Sequence, residues 1–189
     1  MRSRQPRSRP PSVLLFLVLG LFGCSPLEPS AFAGGEPRFE PEKFFAGHIH
    51  SWGVIEDRSG DPGTRFTTEI EGRPDGDALV IEQHFAFDDG KRQERVWRLR
   101  RVDEHRYEAT ASDVVGTATG EAWGNAFRWE YTLATEPGNP LKNVEMKQWM
   151  YGVGDGSTMM NRVTVTKLGV VVAEVTEFFW RGEGREKRP

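Results

Sequence analysis

Hydrophobic and polar residues alternate along most of the chain, in runs of about eight to twelve residues. The clearest run spans residues 126–135. It places one set of side chains on one face of a strand and a second set on the other, namely Phe127, Trp129, Tyr131 and Leu133 against Arg128, Glu130 and Thr132. Since successive side chains of a β-strand point to opposite faces, this pattern predicts a strand with one buried face and one face in water.

Similar alternation recurs elsewhere in the chain. It is seen in residues 65–72, 95–102 and 144–151, whereas residues 78–87 and 169–180 are partly apolar on both faces. Apolarity on both faces suits a strand that closes a barrel or a strand that another segment covers.

Turn signals rich in glycine, proline and aspartate separate the strand-like runs. Asp89-Gly90 and Asp155-Gly156 are examples, and an Asp-Gly pair provides the positive φ angles that tight hairpins need. No apolar pattern with a helical period extends beyond about two turns. The sequence therefore predicts an all-β protein, an antiparallel up-and-down β-barrel of about 8–10 strands, with a two-sheet sandwich as the alternative.

The chain begins with the features of a secretory signal. Four arginines and no acidic residue precede an apolar run at residues 13–24, which is too short to span a bilayer as a permanent helix. Residues Leu21 to Cys24 resemble the lipobox of bacterial lipoproteins, in which the cysteine becomes the first residue of the mature chain and carries acyl chains. We therefore predict that residues 1–23 are a lipoprotein signal peptide and that Cys24 is the lipidation site.

Cys24 is the one cysteine in the chain, so an exported monomer has no partner for a disulfide. Residues 24–43 are rich in proline and glycine, and we predict a flexible tether there, followed by a β-barrel domain at 44–180 and a disordered charged tail at 181–189. Ser25 after the cysteine resembles the sequence of lipoproteins that are sorted to the outer membrane. The predicted location is the cell envelope, with the barrel held on the outer membrane by its lipid anchor and facing the periplasm.

Composition and charge narrow the range of partners. Removal of residues 1–23 takes away four of the 25 basic residues and leaves 21 against 28 acidic ones, a net charge of −7. That balance argues against nucleic acid, since phosphate binding requires a basic surface. We predict no nucleic-acid partner and no cofactor.

Several short motifs within residues 44–180 resemble those of one bacterial family. They are Asp113-Val-Val-Gly116, Gly120-Glu-Ala122, Gly124-Asn-Ala126, Trp149-Met-Tyr151, Asn161-Arg162 and Glu174-Val-Thr176. The family that they resemble consists of uncharacterised lipoproteins with a domain of unknown function and a lipocalin/calycin-like β-barrel. The resemblance implies this fold and a lipid anchor, and it implies no established activity.

One group of residues suggests a ligand site. Aromatic residues around an arginine inside a barrel would suit the carboxylate or phosphate of an acyl ligand, because arginine forms bidentate charge-assisted bonds and the aromatic rings cover the chain. The predicted ligand-binding residues are Trp129, Tyr131, Trp149, Tyr151, Asn161, Arg162 and Lys167. The alternative is that the aromatic residues are core and that Arg162 faces water or pairs with Glu174.

The histidines and paired acids offer few candidates for metal binding or catalysis. His48 and His50 lie two apart on a predicted strand and therefore share a face, a spacing that zinc sites use. No third ligand is evident beside them, so we predict polar strand residues and no metal site. Glu69 and Glu71 also share a face and are predicted to be solvated rather than a glycosidase pair. No serine has a base and an oxyanion loop around it, so we predict no catalytic residue and no enzyme activity.

The predicted function is that of a lipid-anchored envelope β-barrel that binds or carries a small hydrophobic or acyl ligand, such as a fatty acid, without catalysis. The alternative is a structural lipoprotein whose packed barrel docks an envelope protein. A cavity inside the barrel distinguishes the two, since ligand pockets are usually about 300–1,000 Å³ in volume.

Overall fold

The fold is a closed β-barrel. A computed structural model describes residues 26–182 and contains ten antiparallel strands. The strands are β1 (Gly47–Asp57), β2 (Thr64–Asp75), β3 (Ala78–Phe87), β4 (Arg92–Arg101), β5 (Arg106–Thr110), β6 (Val114–Trp123), β7 (Ala126–Ala134), β8 (Asn143–Val153), β9 (Thr158–Lys167) and β10 (Val170–Trp180). The predicted signal peptide, the predicted lipidation site Cys24 and tail residues 183–189 lie outside the described residues. Between residues 26 and 182, no helix has the length and apolar character needed to cross a membrane.

Each strand pairs with the next one along the chain, and the last strand pairs with the first. β1 lies antiparallel to β10, with His50 opposite Trp180 and Trp52 opposite Phe178. This pairing closes the sheet and removes its exposed edges. The predicted up-and-down barrel is confirmed, and the alternative of a two-sheet sandwich is wrong.

Alternation along the strands fills the barrel. In β7 the side chains of Phe127, Trp129 and Tyr131 are buried, while Arg128 and Glu130 lie between them on the outer face. Most of the inward apolar side chains belong to one continuous core. Since burial of a large apolar side chain contributes about 1.5–3 kcal/mol, this inner face is the main source of stability.

The described part of the segment before β1 packs against the barrel, in contrast to the flexible tether predicted for residues 24–43. A 3₁₀ helix at Pro29–Phe32 contacts β6 and β7, and a short helix, α1, spans Pro41–Phe44. Phe39 is buried, and its N–H donates to the carbonyl oxygen of Gly124 at 2.8 Å. The proline content suggested a linker, but proline also lowers the entropy that the chain loses on ordering, and the aromatic residues of the segment gain from burial.

The two ends of the barrel differ. At one end, Phe44, Phe45 and Phe179 pack edge to face, with ring centroids 5.2 Å and 6.0 Å apart along the row. We call this the closed end. The opposite end, which we call the mouth, is formed by the β1–β2, β3–β4, β5–β6, β7–β8 and β9–β10 connections.

Candidate ligand-binding site

The barrel encloses a cavity of about 190 Å³. Its wall is mostly apolar and aromatic, and includes Phe66, Phe85, Trp97, Trp129, Val163 and Val175. An engineered apolar cavity of about 150 Å³ is large enough to bind benzene, although most ligand pockets exceed about 300 Å³. The interior is therefore not completely packed, and its free space fits a ring or a short chain.

The cavity extends from the closed end to the mouth. Phe45 and Phe179 line it at the closed end. Phe87, the last residue of β3, and Gln93, near the start of β4, line it at the mouth. Because Gln93 is also exposed to solvent, the cavity reaches the surface beside the β3–β4 connection.

Arg95, which lines the cavity near the mouth, forms an ion pair with Asp113. Arg95 on β4 points inward, and its Nε–H donates to both carboxylate oxygens of Asp113 at 3.0 and 2.9 Å, while Nη2 lies 2.8 Å from Oδ2. The two side chains are only 10% and 19% exposed. The guanidinium carbon also lies 5.6 Å from the ring centre of Phe85 and 5.8 Å from that of Trp97, within cation–π range. Nη1 is the guanidinium nitrogen that Asp113 does not engage.

A second polar group lies closer to the closed end. Glu177 on β10 is 8% exposed. Its Oε1 accepts a hydrogen bond from Ser51 Oγ at 2.6 Å, and its Oε2 accepts one from Asn161 Nδ2 at 3.3 Å. Burial raises the pKa of Glu177 to about 7, against the opposing effect of these two hydrogen bonds. Near neutral pH this carboxyl is thus protonated in a substantial fraction of molecules and can donate a hydrogen bond.

Further hydrogen bonds fix polar side chains in the cavity wall. Gln148 Nε2 donates to the hydroxyl of Tyr131 at 2.9 Å, and Trp97 Nε1 donates to Gln83 Oε1 at 3.0 Å. Burial raises the pKa of Tyr131 to about 12, so its hydroxyl stays protonated at neutral pH. Among the described residues, Asn161 Oδ1 is buried without a hydrogen-bond partner, which makes it an acceptor available to a ligand.

The predicted ligand residues fall on both sides of the barrel wall. Trp129, Tyr131 and Asn161 line the cavity. Trp149 and Tyr151 lie on the outer face of β8, where the ring of Phe32 packs against them at centroid distances of 5.6 and 5.7 Å. The two outer rings therefore anchor the N-terminal segment instead of contacting the cavity.

Arg162 and Lys167 also lie away from the cavity. Arg162 is exposed on the outer face of β9, where Nη2 donates to Glu174 at 3.1 Å. This is the pairing with Glu174 that the sequence offered as the alternative to a ligand site. Lys167 is the last residue of β9, half-buried and not part of the cavity lining. The prediction of one cluster centred on Arg162 is wrong, because the alternation of side chains places Arg162 and Asn161 on opposite faces.

Sequence reasoning missed the charged residues that line the cavity, Arg95 and Glu177, and also Asp113, which pairs with Arg95. A signal was present for two of them. Arg95 is in phase with the inward Trp97, and Glu177 is in phase with the inward Phe179, so each is a charge on an otherwise apolar face. Asp113 lies in the β5–β6 connection, where alternation carries no information on direction.

The closed antiparallel barrel of ten strands with an internal cavity is a lipocalin/calycin-like fold. The chain belongs to the family DUF3833, described as protein of unknown function, which matches residues 18–181. The resemblance expected from the motifs is thus confirmed for a domain of unknown function with a lipocalin-like barrel, while the lipid anchor stays a prediction. Among curated proteins, no sequence matches the chain significantly.

Solved structures with the same fold share little sequence with this chain. An S-type phycobiliprotein lyase, CPES from Guillardia theta, is 7% identical, with a TM-score of 0.55 over 76% of this chain and 92% of the lyase. Rv2717c from M. tuberculosis is 14% identical, with a TM-score of 0.54 over 77% of this chain and 99% of that protein. At these identities the likeness establishes the fold alone.

The comparison with the lyase corrects one prediction. A protein without enzyme activity was expected because the sequence shows no nucleophile with a base beside it. That exclusion is wrong, since the same barrel is found in a protein named as a lyase. Neither the fold nor the missing motif separates a binding protein from an enzyme in this class.

Proposed function

We propose that the protein binds a small, largely apolar ligand inside the barrel. The observation that carries this proposal is the cavity of about 190 Å³ that reaches the surface at the mouth. Concave, mostly apolar pockets with a few fixed polar groups are the usual form of small-molecule sites. A barrel with a purely structural role needs no such space.

The polar groups of the cavity favour a ligand with an uncharged polar end. Asp113 balances the charge of Arg95, and the raised pKa of Glu177, about 7, keeps that acid partly neutral. A ligand carboxylate would lie close to both acids, and a buried unpaired charge is unfavourable. A hydroxyl or amide group can instead accept from Nη1 of Arg95 or donate to Asn161 Oδ1. The expected ligand is a short acyl or aromatic compound with a neutral polar group.

Filling the cavity is expected to prevent ligand binding. Val163 is 3% exposed and lines the cavity. In Val163→Phe the added ring occupies the free space, so we expect the affinity for 1-hexanol to fall at least about tenfold, equivalent to about 1.4 kcal/mol. The fluorescence of Trp97 and Trp129, which both line the cavity, reports the binding.

The outer face of the barrel provides a matched control. Val96→Phe makes the same change at a side chain that is 49% exposed on β4, and it is expected to leave the affinity unchanged.

Hexanoate should bind more weakly than 1-hexanol at pH 8. Native mass spectrometry of protein purified from its own host would identify a natural ligand. No binding of either compound, together with ligand-free protein from the host, would overturn the proposal.

We also propose that Cys24 is lipidated and holds the protein in the cell envelope, on the outer membrane and facing the periplasm. The support is the sequence from Leu21 to Cys24 after an arginine-rich start. Each buried CH₂ of an acyl chain contributes about 0.8 kcal/mol to membrane binding. Cys24→Ser is therefore expected to release the protein from the membrane fraction or to leave its signal uncleaved. Unchanged fractionation together with unchanged processing would contradict the lipid anchor.

A further inference from the structure

The outer wall carries a cluster of two histidines and two glutamates. His48 and His50 lie on β1, and Glu69 and Glu71 lie on the neighbouring β2. The strand register places His50 opposite Glu69 and His48 opposite Glu71, so all four side chains share the outer face. Sequence alone gave the two histidines without a third ligand, because Glu69 follows His50 by 19 positions and only the β1–β2 pairing brings the two together.

The ligand atoms of three of these residues lie close together, with the two histidines on the two oxygens of the Glu69 carboxylate. His50 Nδ1 lies 2.9 Å from Glu69 Oε1, and His48 Nε2 lies 3.2 Å from Glu69 Oε2. One ligand atom from each of the three residues lies within 4.8 Å of the other two. Two ligand atoms on one tetrahedral zinc ion are about 3.3 Å apart, since the bonds are about 2.0–2.1 Å long. The two nitrogen–oxygen distances are therefore close to the distance between neighbouring ligand atoms on one zinc ion.

Glu71 makes a contact of a different kind. Its Oε2 lies 3.4 Å from His48 Nδ1, on the side of the ring away from the Nε2 that faces Glu69. Histidines that bind metal usually donate their second N–H to a carboxylate, which fixes the tautomer and the ring orientation. His48 thus has one nitrogen facing Glu69 and the other facing Glu71.

Neighbouring rings restrict the side chain of His50. Trp52 and Trp180 each lie 6.3 Å from its ring centroid at an interplanar angle of 26°. Such packing lowers the entropy that the ring would lose on binding an ion. His84 on β3 is the strand neighbour of Glu69 on the side away from β1. The Nδ1 atom of His84 faces Glu94 at 3.3 Å, so His84 does not belong to the group of three.

We propose that His48, His50 and Glu69 form a binding site for a divalent first-row metal ion such as zinc, with Glu71 as the outer partner of His48. Two imidazoles and one carboxylate suit zinc, whereas calcium and magnesium prefer oxygen ligands throughout. Three protein ligands leave one tetrahedral position for water or an incoming ligand. The site lies on the outer wall, so it is independent of the cavity and of the ligand proposed for it.

Titration with zinc chloride tests the site. The full chain, expressed without a histidine tag, is expected to bind one zinc ion in isothermal titration calorimetry. At free zinc a hundredfold above Kd, the melting temperature should rise by about 5–10 °C. Glu71→Gln should weaken binding by about tenfold, and His50→Gln and Glu69→Gln should weaken it further because each removes a ligand.

Two control variants separate this site from other zinc ligands of the chain. His105 stacks on Trp123 with ring centroids 3.5 Å apart and does not belong to the cluster, so His105→Gln should bind zinc as the unmodified chain does. Cys24→Ser should also bind zinc equally, which would exclude the sulfur of Cys24 as a ligand. The proposal is overturned by a lack of saturable binding, by unchanged affinity in folded His50→Gln and Glu69→Gln, or by loss of binding in either control. Circular dichroism establishes that each variant is folded.

Discussion

Replacing Asp113 with alanine is expected to lower the free energy of unfolding by about 3–5 kcal/mol, because it leaves the guanidinium of Arg95 in the barrel wall without its partner. The carboxylate of Asp113 accepts bonds from both Nε and Nη2 of this arginine. An uncompensated charge in a poorly hydrated site loses its solvation and gains nothing in return. Urea denaturation of the folded chain measures the loss.

An exposed ion pair between β4 and β5 provides the control. Arg100 donates to Glu108 at 3.0 Å, with both side chains about half exposed, and Glu108→Ala should change the free energy of unfolding by no more than about 1 kcal/mol. The double variant Arg95→Met, Asp113→Leu should recover most of the loss because it removes both charges. Equal effects of Asp113→Ala and Glu108→Ala would show that the Arg95 pair is not buried in solution.

Glu177→Gln is expected to stabilise the protein at pH 8 by up to about 3 kcal/mol and to have little effect at pH 4.5. Burial raises the pKa of Glu177 to about 7 from an ordinary value of 4.5. The folded state therefore binds more protons than the unfolded state between these two values, and stability falls as the pH rises from 4.5 to 7 and then levels off. Glutamine cannot ionise, so the variant lacks this decrease.

Glu174, on the outer face of β10, is the matched control for the pH dependence of Glu177→Gln. Glu174 pairs with the exposed Arg162 at 3.1 Å, and Glu174→Gln should change stability by less than about 0.5 kcal/mol across the range. The measured quantity is the difference in unfolding free energy between each variant and the unmodified chain at pH 4.5, 6 and 8. A difference for Glu177→Gln that does not grow with pH would contradict a raised pKa.

Alternation of side chains was sufficient to predict most of the barrel. It placed Trp129 and Tyr131 on the buried face of β7 correctly. Apolarity on both faces of residues 169–180 also suggested a closing strand, and in the structure β10 packs Phe178 against Trp52 on the outside while Phe179 points inward. Which strand it closes against was not predictable, since the β1–β10 pairing joins residues far apart in the sequence.

The sequence predicted the residues of the cavity less well than the strands of the barrel. Trp149 and Tyr151 are aromatic, as a cavity wall would be, yet alternation along β8 places them on the outer face. Phe32 of the N-terminal segment covers them there. A prediction that residues 24–43 form a tether leaves no partner to cover these two rings. Asp113 pairs with the cavity-lining Arg95 from a connection between strands, and periodicity does not specify where a loop side chain points.

The packed N-terminal segment limits how far the protein can travel from an anchor. Pro29 is buried against the barrel, and the carboxylate of Glu28 lies 3.9 Å from Arg128 on the outer face of β7. The four peptide units from Cys24 to Glu28 span at most about 14 Å. If Cys24 carries lipid as proposed, the β6–β7 side of the barrel rests beside the bilayer, and a ligand is exchanged with that membrane or with adjacent proteins instead of being carried across the periplasm.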